Sequence, residues 1–298
     1  MSQRLEALTG WLNTVLGRDD LVITPASSDA SFRRYFRVQS PQPGGLSFST
    51  AKHDTLIAMD APPDLEDSRP FLAVSELLSG AGVQVPRVLA SDLEQGFLLL
   101  TDLGTQPYLD ALNEQTVEAL YGDALSALFT MQQVASADEG FLPAYDGDLL
   151  KREMELFREW YLQRHLEQAL SESQHVMLNT IFQLLADQAL AQPRVFVHRD
   201  YHSRNLMVGD VKGEGRNPGI LDFQDAVVGP VTYDLVSLLR DCYIAWPRER
   251  VESWALNYLH RAAAAGIISH ESDATYLRWF DWMGVQRHLK AVGIFARL

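Results

Sequence analysis

The 298 residues contain one cysteine, Cys242. A lone thiol closes no internal disulfide, and such sparing use fits a reducing cytoplasm. Cys242 lies in the run LLRDCYIAW, which reads as helix, so it is expected to pack as a small buried hydrophobe. Basic residues are also scarce: 25 Lys and Arg against 39 Asp and Glu leave a formal net charge of −14. A surface that acidic repels nucleic acid and anionic membranes. A nucleotide is not excluded, because a local pocket can be cationic or metal-loaded. No apolar run approaches the roughly 18 residues that span a bilayer. The opening MSQRLEALTGWLNTVLG is no signal peptide, since Leu5, Leu8, Leu12, Val15 and Leu16 recur at helical spacing. There is no internal repeat and no low-complexity tract.

What remains is an ordinary soluble composition, 47% hydrophobic and 21% charged, long enough for one large domain or two lobes. After the first helix, SDASFRRYFRVQS reads as a loop opening a strand, SPQPGGLSFS as a Pro/Gly turn, and DTLIAMDAPP as a strand stopped by Pro62 and Pro63. Ser68-Arg69-Pro70 starts a helix with a capping hydroxyl and an early proline. Its apolar face is Phe71, Val74, Leu77 and Leu78, and it ends near Gly80-Ala81-Gly82. VPRVLASD and GFLLLTDL read as a hairpin. Helical periodicity dominates 113–135, 149–191 and everything from about Tyr233. The composition shifts only near 101–106. The expected architecture is α+β, with a small β-rich amino-terminal lobe, 1–103, and a larger, mainly helical lobe, 104–298.

Between two apolar stretches lies VFVHRDYHSRNLMV, 195–208, expected to be strand, exposed loop, strand. It holds His198, Asp200 and Asn205, and a second hairpin arm ends in Asp222 of ILDFQD. A hairpin folds Asn205 and Asp222 toward each other, and an amide carbonyl beside a carboxylate suits a hard cation such as Mg²⁺ that also binds phosphates. Asp200 can accept a proton from a hydroxyl. His198 is expected to brace the loop. Asp234, at the start of a helix, is expected to cap it and tie down the loop.

The spacing H-x-D-x₄-N followed by D-F resembles that of protein-kinase-like phosphotransferases. With Gly229, Pro230, Asp234 and Leu235 after the second Asp, the segment resembles the aminoglycoside-phosphotransferase-like branch. The resemblance implies a bilobal kinase-like fold, ATP bound with Mg²⁺ on Asn205 and Asp222, and Asp200 on the acceptor hydroxyl. LLLTDLG resembles the family's hinge, where the backbone of Thr101 to Leu103 would meet the adenine. SSDAS, 27–31, stands where a phosphate-covering loop belongs but has no glycine, so Ser28 and Ser31 are the candidate phosphate contacts. The strand lysine that kinases place on the α- and β-phosphates is missing. Asp60, or after a one-residue shift Met59, stands there, and Asp60 would repel phosphate. Arg33, Arg34, Arg37 and Lys52 are candidate substitutes. Glu76, without a lysine to pair, is expected on a solvated helix face.

Two helical runs, EMELFREWYLQRHL (153–166) and YLRWFDWMGVQRHLKAVGIFARL (276–298), are dense in aromatics, which suits a sugar ring; Trp160, Trp279 and Trp282 also suit a core. Nearly the whole chain resembles the N-acetylmuramate/N-acetylglucosamine anomeric kinases of bacterial cell-wall recycling, lysine-free strand included. That implies transfer from ATP to the C1 hydroxyl of a small amino sugar. A lactyl carboxylate on the sugar calls for a cation, for which Arg204, Arg240 and Arg287 are candidates. The resemblance also implies a chain that continues beyond Leu298. The alternatives are a kinase of aminoglycosides or other small hydroxyl compounds, and a nucleotide-binding protein without catalysis.

Overall fold

The computed structural model describes residues 3–28, 32–42, 45–48, 51–134, 141–209 and 217–298, without the side chains of 27, 28 and 52. The fold is α+β, in two compact units: Met1–Thr105 with Gly209–Gln224, and Gln106–Val208 with Asp225–Leu298. The sequence pattern places 209–224 in the second lobe. In the structure Gly209 and 217–224 join the first, because Ile220 N–H donates to the Gln84 carbonyl at 2.8 Å and the Phe223 ring meets Phe71 at 4.8 Å.

The first unit begins with helix α1 (Gln3–Leu16) and strands β1 (Val22–Ser28), β2 (Arg34–Gln39), β3 (Leu46–Phe48), β4 (Ala51–His53) and β5 (Thr55–Asp60). Helix α2 (Arg69–Gly80) and strands β6 (Val88–Asp92) and β7 (Phe97–Thr101) follow. Five strands form an antiparallel sheet in the order β1-β2-β5-β7-β6. Alternation sends Phe36, Val38, Leu56, Ala58, Phe97 and Leu99 to one face, where Leu8 and Leu12 of α1 cover them. Each of those buried leucines contributes roughly 1.5–3 kcal/mol of apolar burial.

Two local expectations are corrected. The Pro/Gly turn is shorter than its composition suggests, because Leu46–Phe48 pairs with Ala51–His53. Gly45 permits this at φ 71, where a Cβ would lie 2.4 Å from the His53 carbonyl oxygen. Ser68 precedes α2 but makes no capping bond, since its own backbone is already helical; Asp67 accepts the Arg69 N–H at 3.0 Å.

The second unit contains α3 (Tyr108–Ala111), α4 (Val117–Val134), α5 (Gly147–Leu156), a π-helical segment Phe157–His165 and α6 (Glu172–Leu190). After β8 (Arg194–Val197) and β9 (Leu206–Met207), and after β10 (Gly219–Ile220) in the first unit, come β11 (Val227–Pro230), α7 (Tyr233–Leu239), α8 (Arg248–Ala264) and α9 (Asp273–Arg297). β8 pairs with β11 antiparallel, Val197 opposite Val227. The helix starts carry local signals: Asp146 accepts the Leu149 N–H at 2.8 Å, Ser171 and Gln174 form a capping box, and Ser272 accepts the Thr275 N–H at 3.2 Å. Gly293 of α9 lies against the chain where α5 widens into the π-helix; a Cβ there would sit 2.3 Å from the Leu156 carbonyl carbon.

Among the described residues no helix is long and apolar enough to cross a membrane.

Candidate active site

β8 delivers the chain into the polar loop at His198. The sequence pattern predicts an exposed loop; His198, Tyr201 and Ser203 are instead fully buried. Burial of so many polar groups requires partners. The N–H groups of His198 and Arg199 donate to the two carboxylate oxygens of Asp234 at 2.6 and 3.0 Å. The Ser203 N–H donates to Asp241 at 2.9 Å, and the Tyr201 hydroxyl donates to the Ala124 carbonyl at 2.8 Å. Asp234 therefore ties down the loop as expected, but it caps nothing: it lies inside α7, past the N-cap Thr232.

Asp200 is centred in this framework. Its N–H donates to Nδ1 of His198 at 3.2 Å, and its carbonyl accepts the Asn205 side-chain amide at 3.0 Å. The residue before it, Arg199, takes φ 79, a left-handed backbone that a branched or long side chain adopts only when its surroundings impose it. Burial alone would raise the Asp200 carboxyl, but Lys290, His202, His198 and Arg199 outweigh it and hold the group below its ordinary range. Asp200 is thus an ionised, partly buried carboxylate, able to accept a proton. His202 moves oppositely: burial lowers it, against the attraction of Asp200 and Asp241, so its imidazole is neutral at pH 7.

Beneath the loop lies a buried charge network without a sequence motif. The Arg199 guanidinium donates to Glu153 Oε1 at 2.7 Å, and Lys290 Nζ reaches the same oxygen at 3.1 Å. Lys290 also donates to the Tyr233 hydroxyl at 3.0 Å, and the Tyr145 hydroxyl donates to Glu153. Burial pushes Glu153 up, and Lys290 and Arg199 more than reverse it. The network takes one side chain each from α5, the loop, α7 and α9, plus Tyr145. Only helical periodicity at 153 and 290 hinted at inward positions.

In the first unit, Asp222 also has a left-handed backbone, φ 64, and its Oδ1 accepts the Gln224 amide at 2.7 Å. Thr101 N–H donates to the Arg87 carbonyl at 3.0 Å, so this N–H cannot serve a ligand. Leu103 lies against Gly219, where a Cβ would come within 3.0 Å of its side chain. Ser31 and the Ser28 side chain lie outside the described residues, as does the Lys52 side chain. Asp60 is fully buried on the α1 face of the sheet, between Arg4 and Arg34. Two guanidiniums on one carboxylate leave a net positive cluster, so the expected repulsion of phosphate by Asp60 does not hold. Arg37 is bound to Asp102, Arg33 to Glu66, and Glu76 is exposed as expected.

Residues 22–274 match the phosphotransferase enzyme family. The chain belongs to that family. It is 48% identical, over 99% of its length and 85% of the relative's, to a protein of Pseudomonas putida named N-acetylmuramate/N-acetylglucosamine kinase. A Pseudomonas aeruginosa protein of the same name is 52% identical, over 93% of this chain and 76% of the relative. Among solved structures, choline kinase from Cryptosporidium parvum gives a TM-score of 0.64 at 13% identity, covering 99% of this chain and 90% of that one. Aminoglycoside 2′-phosphotransferase-IIIa gives 0.60 at 14% identity over 100% of both. Such low identity carries the fold alone, and the fold is protein-kinase-like.

The three arginines that the sequence offers this phosphotransferase for an acceptor differ in their surroundings. Arg204 is exposed and lies over the Tyr243 ring at 5.1 Å. Arg240 pairs with Asp281 and stacks on Phe280 at 4.4 Å. Arg287 is buried, and its guanidinium donates to Cys242 Sγ at 3.7 Å. Cys242 itself is exposed, contrary to expectation, because α7 ends at Leu239 and the thiol falls in the connection to α8. Of the tryptophans, Trp279 is buried, while Trp160 and Trp282 are partly exposed.

Proposed function

We propose that this phosphotransferase is an ATP-dependent amino-sugar kinase acting on the anomeric C1 hydroxyl of N-acetylmuramate and N-acetylglucosamine. The observation that carries the reading is Asp200: an ionised carboxylate on a residue whose backbone N–H and carbonyl are held by His198 and Asn205, on a loop clamped to Asp234. The names of the Pseudomonas relatives supply the sugar class. A C1 hydroxyl hydrogen-bonded to Asp200 is oriented toward the γ-phosphate and loses its proton late. An anomeric hydroxyl is more acidic than an ordinary alcohol, so a plain carboxylate suffices and positioning does most of the work. The products are ADP and a sugar 1-phosphate. A nucleotidyltransferase that makes a UDP-sugar would consume the latter, placing the reaction in cytoplasmic salvage of peptidoglycan sugars.

Asn205 and Asp222 would hold Mg²⁺. The described residues contain no cluster of three His, Cys, Asp or Glu able to hold a metal by itself. That fits Mg²⁺, which binds through one or two protein oxygens and completes its shell with water and phosphates. The Asn205 side-chain N–H₂ donates to the Asp200 carbonyl; its amide oxygen and the Asp222 carboxylate are the donors that would hold the metal. When bound, the metal neutralises phosphate charge. Asp222 belongs to the first unit and Asn205 to the second, and their pairing rests on the sequence motif. The adenine would meet the backbone of Asp102 and Leu103, with Thr101 supporting them, and Ser28 and Ser31 would approach the phosphates.

Phosphorus NMR of the product formed from N-acetylmuramate tests the reading. A doublet coupled to the anomeric proton is expected; a phosphate on C6, or no sugar phosphate, would overturn it.

A further inference from the structure

Arg287 is an unusual buried cation. It is 6% exposed, on the inward face of α9. Its guanidinium donates to a thiol, a weak acceptor, at 3.7 Å, and among the described residues no carboxylate lies within ion-pair distance of it. Its neighbour one turn along, Lys290, shows the usual arrangement: Glu153 at 3.1 Å and the Tyr233 hydroxyl at 3.0 Å. Arg240 likewise has Asp281. A buried charge is normally paired, because desolvation without a counter-ion is costly. Arg287 nevertheless stays charged. Burial pulls it down, and the field of Tyr233, Cys242 and Asp200 more than restores it.

The surroundings of Arg287 also point outward, to an acceptor beside the base. The guanidinium donates to Cys242, which stands between Asp241, the acceptor of the loop's Ser203 N–H, and Tyr243, whose ring meets His202, so it faces the loop's side of α9. Its thiol partner is exposed. Next to Cys242, the partly exposed Tyr243 ring meets the His202 ring edge-on at 5.6 Å and carries Arg204 over its face at 5.1 Å. An aromatic face with neutral hydrogen-bonding groups beside it suits a sugar ring. A guanidinium lacking a carboxylate suits an acid substituent on that ring.

We propose that Arg287 binds the carboxylate of an acidic acceptor sugar, with Tyr243 and His202 against the ring, and so separates the acidic from the neutral substrate. This rests on the amino-sugar kinase reading above. The neutral sugar leaves the guanidinium with its thiol; the acidic sugar adds a charge-assisted, bidentate pair in a dry setting, where such pairs are strongest.

The test compares kcat/KM for N-acetylmuramate, its carboxyl methyl ester and N-acetylglucosamine in wild type, Arg287→Gln and Arg287→Lys. In wild type the ester should fall roughly 10- to 100-fold below the acid. Arg287→Gln should lose a similar factor on the acid, mainly in KM, while ester and N-acetylglucosamine stay within about threefold. Arg287→Lys should recover part of the loss. Equal losses on all three sugars would show that Arg287 only supports the loop, and overturn the proposal. Should Arg287→Gln fail to fold, the wild-type comparison still decides, since an ester used as well as the acid refutes a carboxylate contact. Wild type that phosphorylates neither sugar removes the kinase reading itself, an outcome distinct from both.

Discussion

At the scale of single residues, the roles divide by environment more than by identity. Three aspartates near the loop behave differently. Asp200 is partly buried and surrounded by cations, so its carboxyl stays ionised. Replacing it with Asn should lower turnover by about 10²–10⁴-fold while nucleotide affinity is kept, which initial rates and nucleotide titration will measure. Asp234 is buried near Asp200, and burial pushes its carboxyl up to about 7 against the two backbone N–H groups it accepts. Between the ordinary carboxyl value of 3.8 and about 7, the folded protein holds a proton that the unfolded chain has lost. This carboxyl therefore contributes most to stability at low pH, and the contribution falls as pH rises through about 7. The urea midpoint of wild type relative to Asp234→Asn should drop between about pH 5 and about pH 8; a constant difference would show that Asp234 does not titrate there. The H-x-D-x₄-N spacing made Asp200 and Asn205 legible in the sequence. Asp241, which holds Ser203, was not, because a carboxylate that meets its partner 38 residues away leaves no local pattern.

At the scale of elements, the helices of the second unit are tied to the loop by charge as well as by packing. Glu153 of α5 is the common acceptor for Arg199 and Lys290. Glu153→Ala leaves the buried Lys290 and the part-buried Arg199 without their counter-ion and should destabilise the fold by about 3–5 kcal/mol, measurable as a drop in denaturation midpoint. The pair of changes Glu153→Gln with Lys290→Met should cost less, because only Arg199, which is partly exposed, is then left without its counter-ion. The strands were readable from alternation, and α1 from its leucine spacing. The π-helical turn was not: FREWYLQRH has ordinary helical composition, and the widening begins where Gly293, far away in sequence, brings α9 against Leu156. The cap of α2 was misread for a related reason. Ser68 has the right side chain, but the backbone there is already helical, so the neighbouring Asp67 takes the N–H.

At the scale of the whole molecule, the two units divide the motif residues between them: Asp222 falls in the first, Asp200 and Asn205 in the second. A nucleotide held with Mg²⁺ stabilises the folded chain by mass action, about 2.7 kcal/mol at one hundred times its dissociation constant. A rise in Tm on adding ATP with Mg²⁺ is therefore expected. Asp222→Ala should abolish the Mg²⁺-dependent part of that rise, and an undiminished rise would count against Asp222 as a ligand. The acidic total of −14 does not oppose such binding, since local cations such as the Arg4–Asp60–Arg34 cluster offset it.

Motif spacing alone carried the reaction class and proposed Asp200 as its base, because phosphoryl transfer needs few groups in a short, ordered stretch of chain. Periodicity alone carried the α+β class, because burial of one face imposes it. Tertiary structure decided that the polar loop is buried, that Asp60 sits between two arginines, and that Glu153 and Lys290 brace the site. It also decided that Arg287, alone of the three candidate arginines, is buried on a thiol, with no carboxylate among the described residues within ion-pair distance. Those outcomes depend on partners brought from distant parts of the chain, where desolvation and pairing, not local propensity, set the state of each charge.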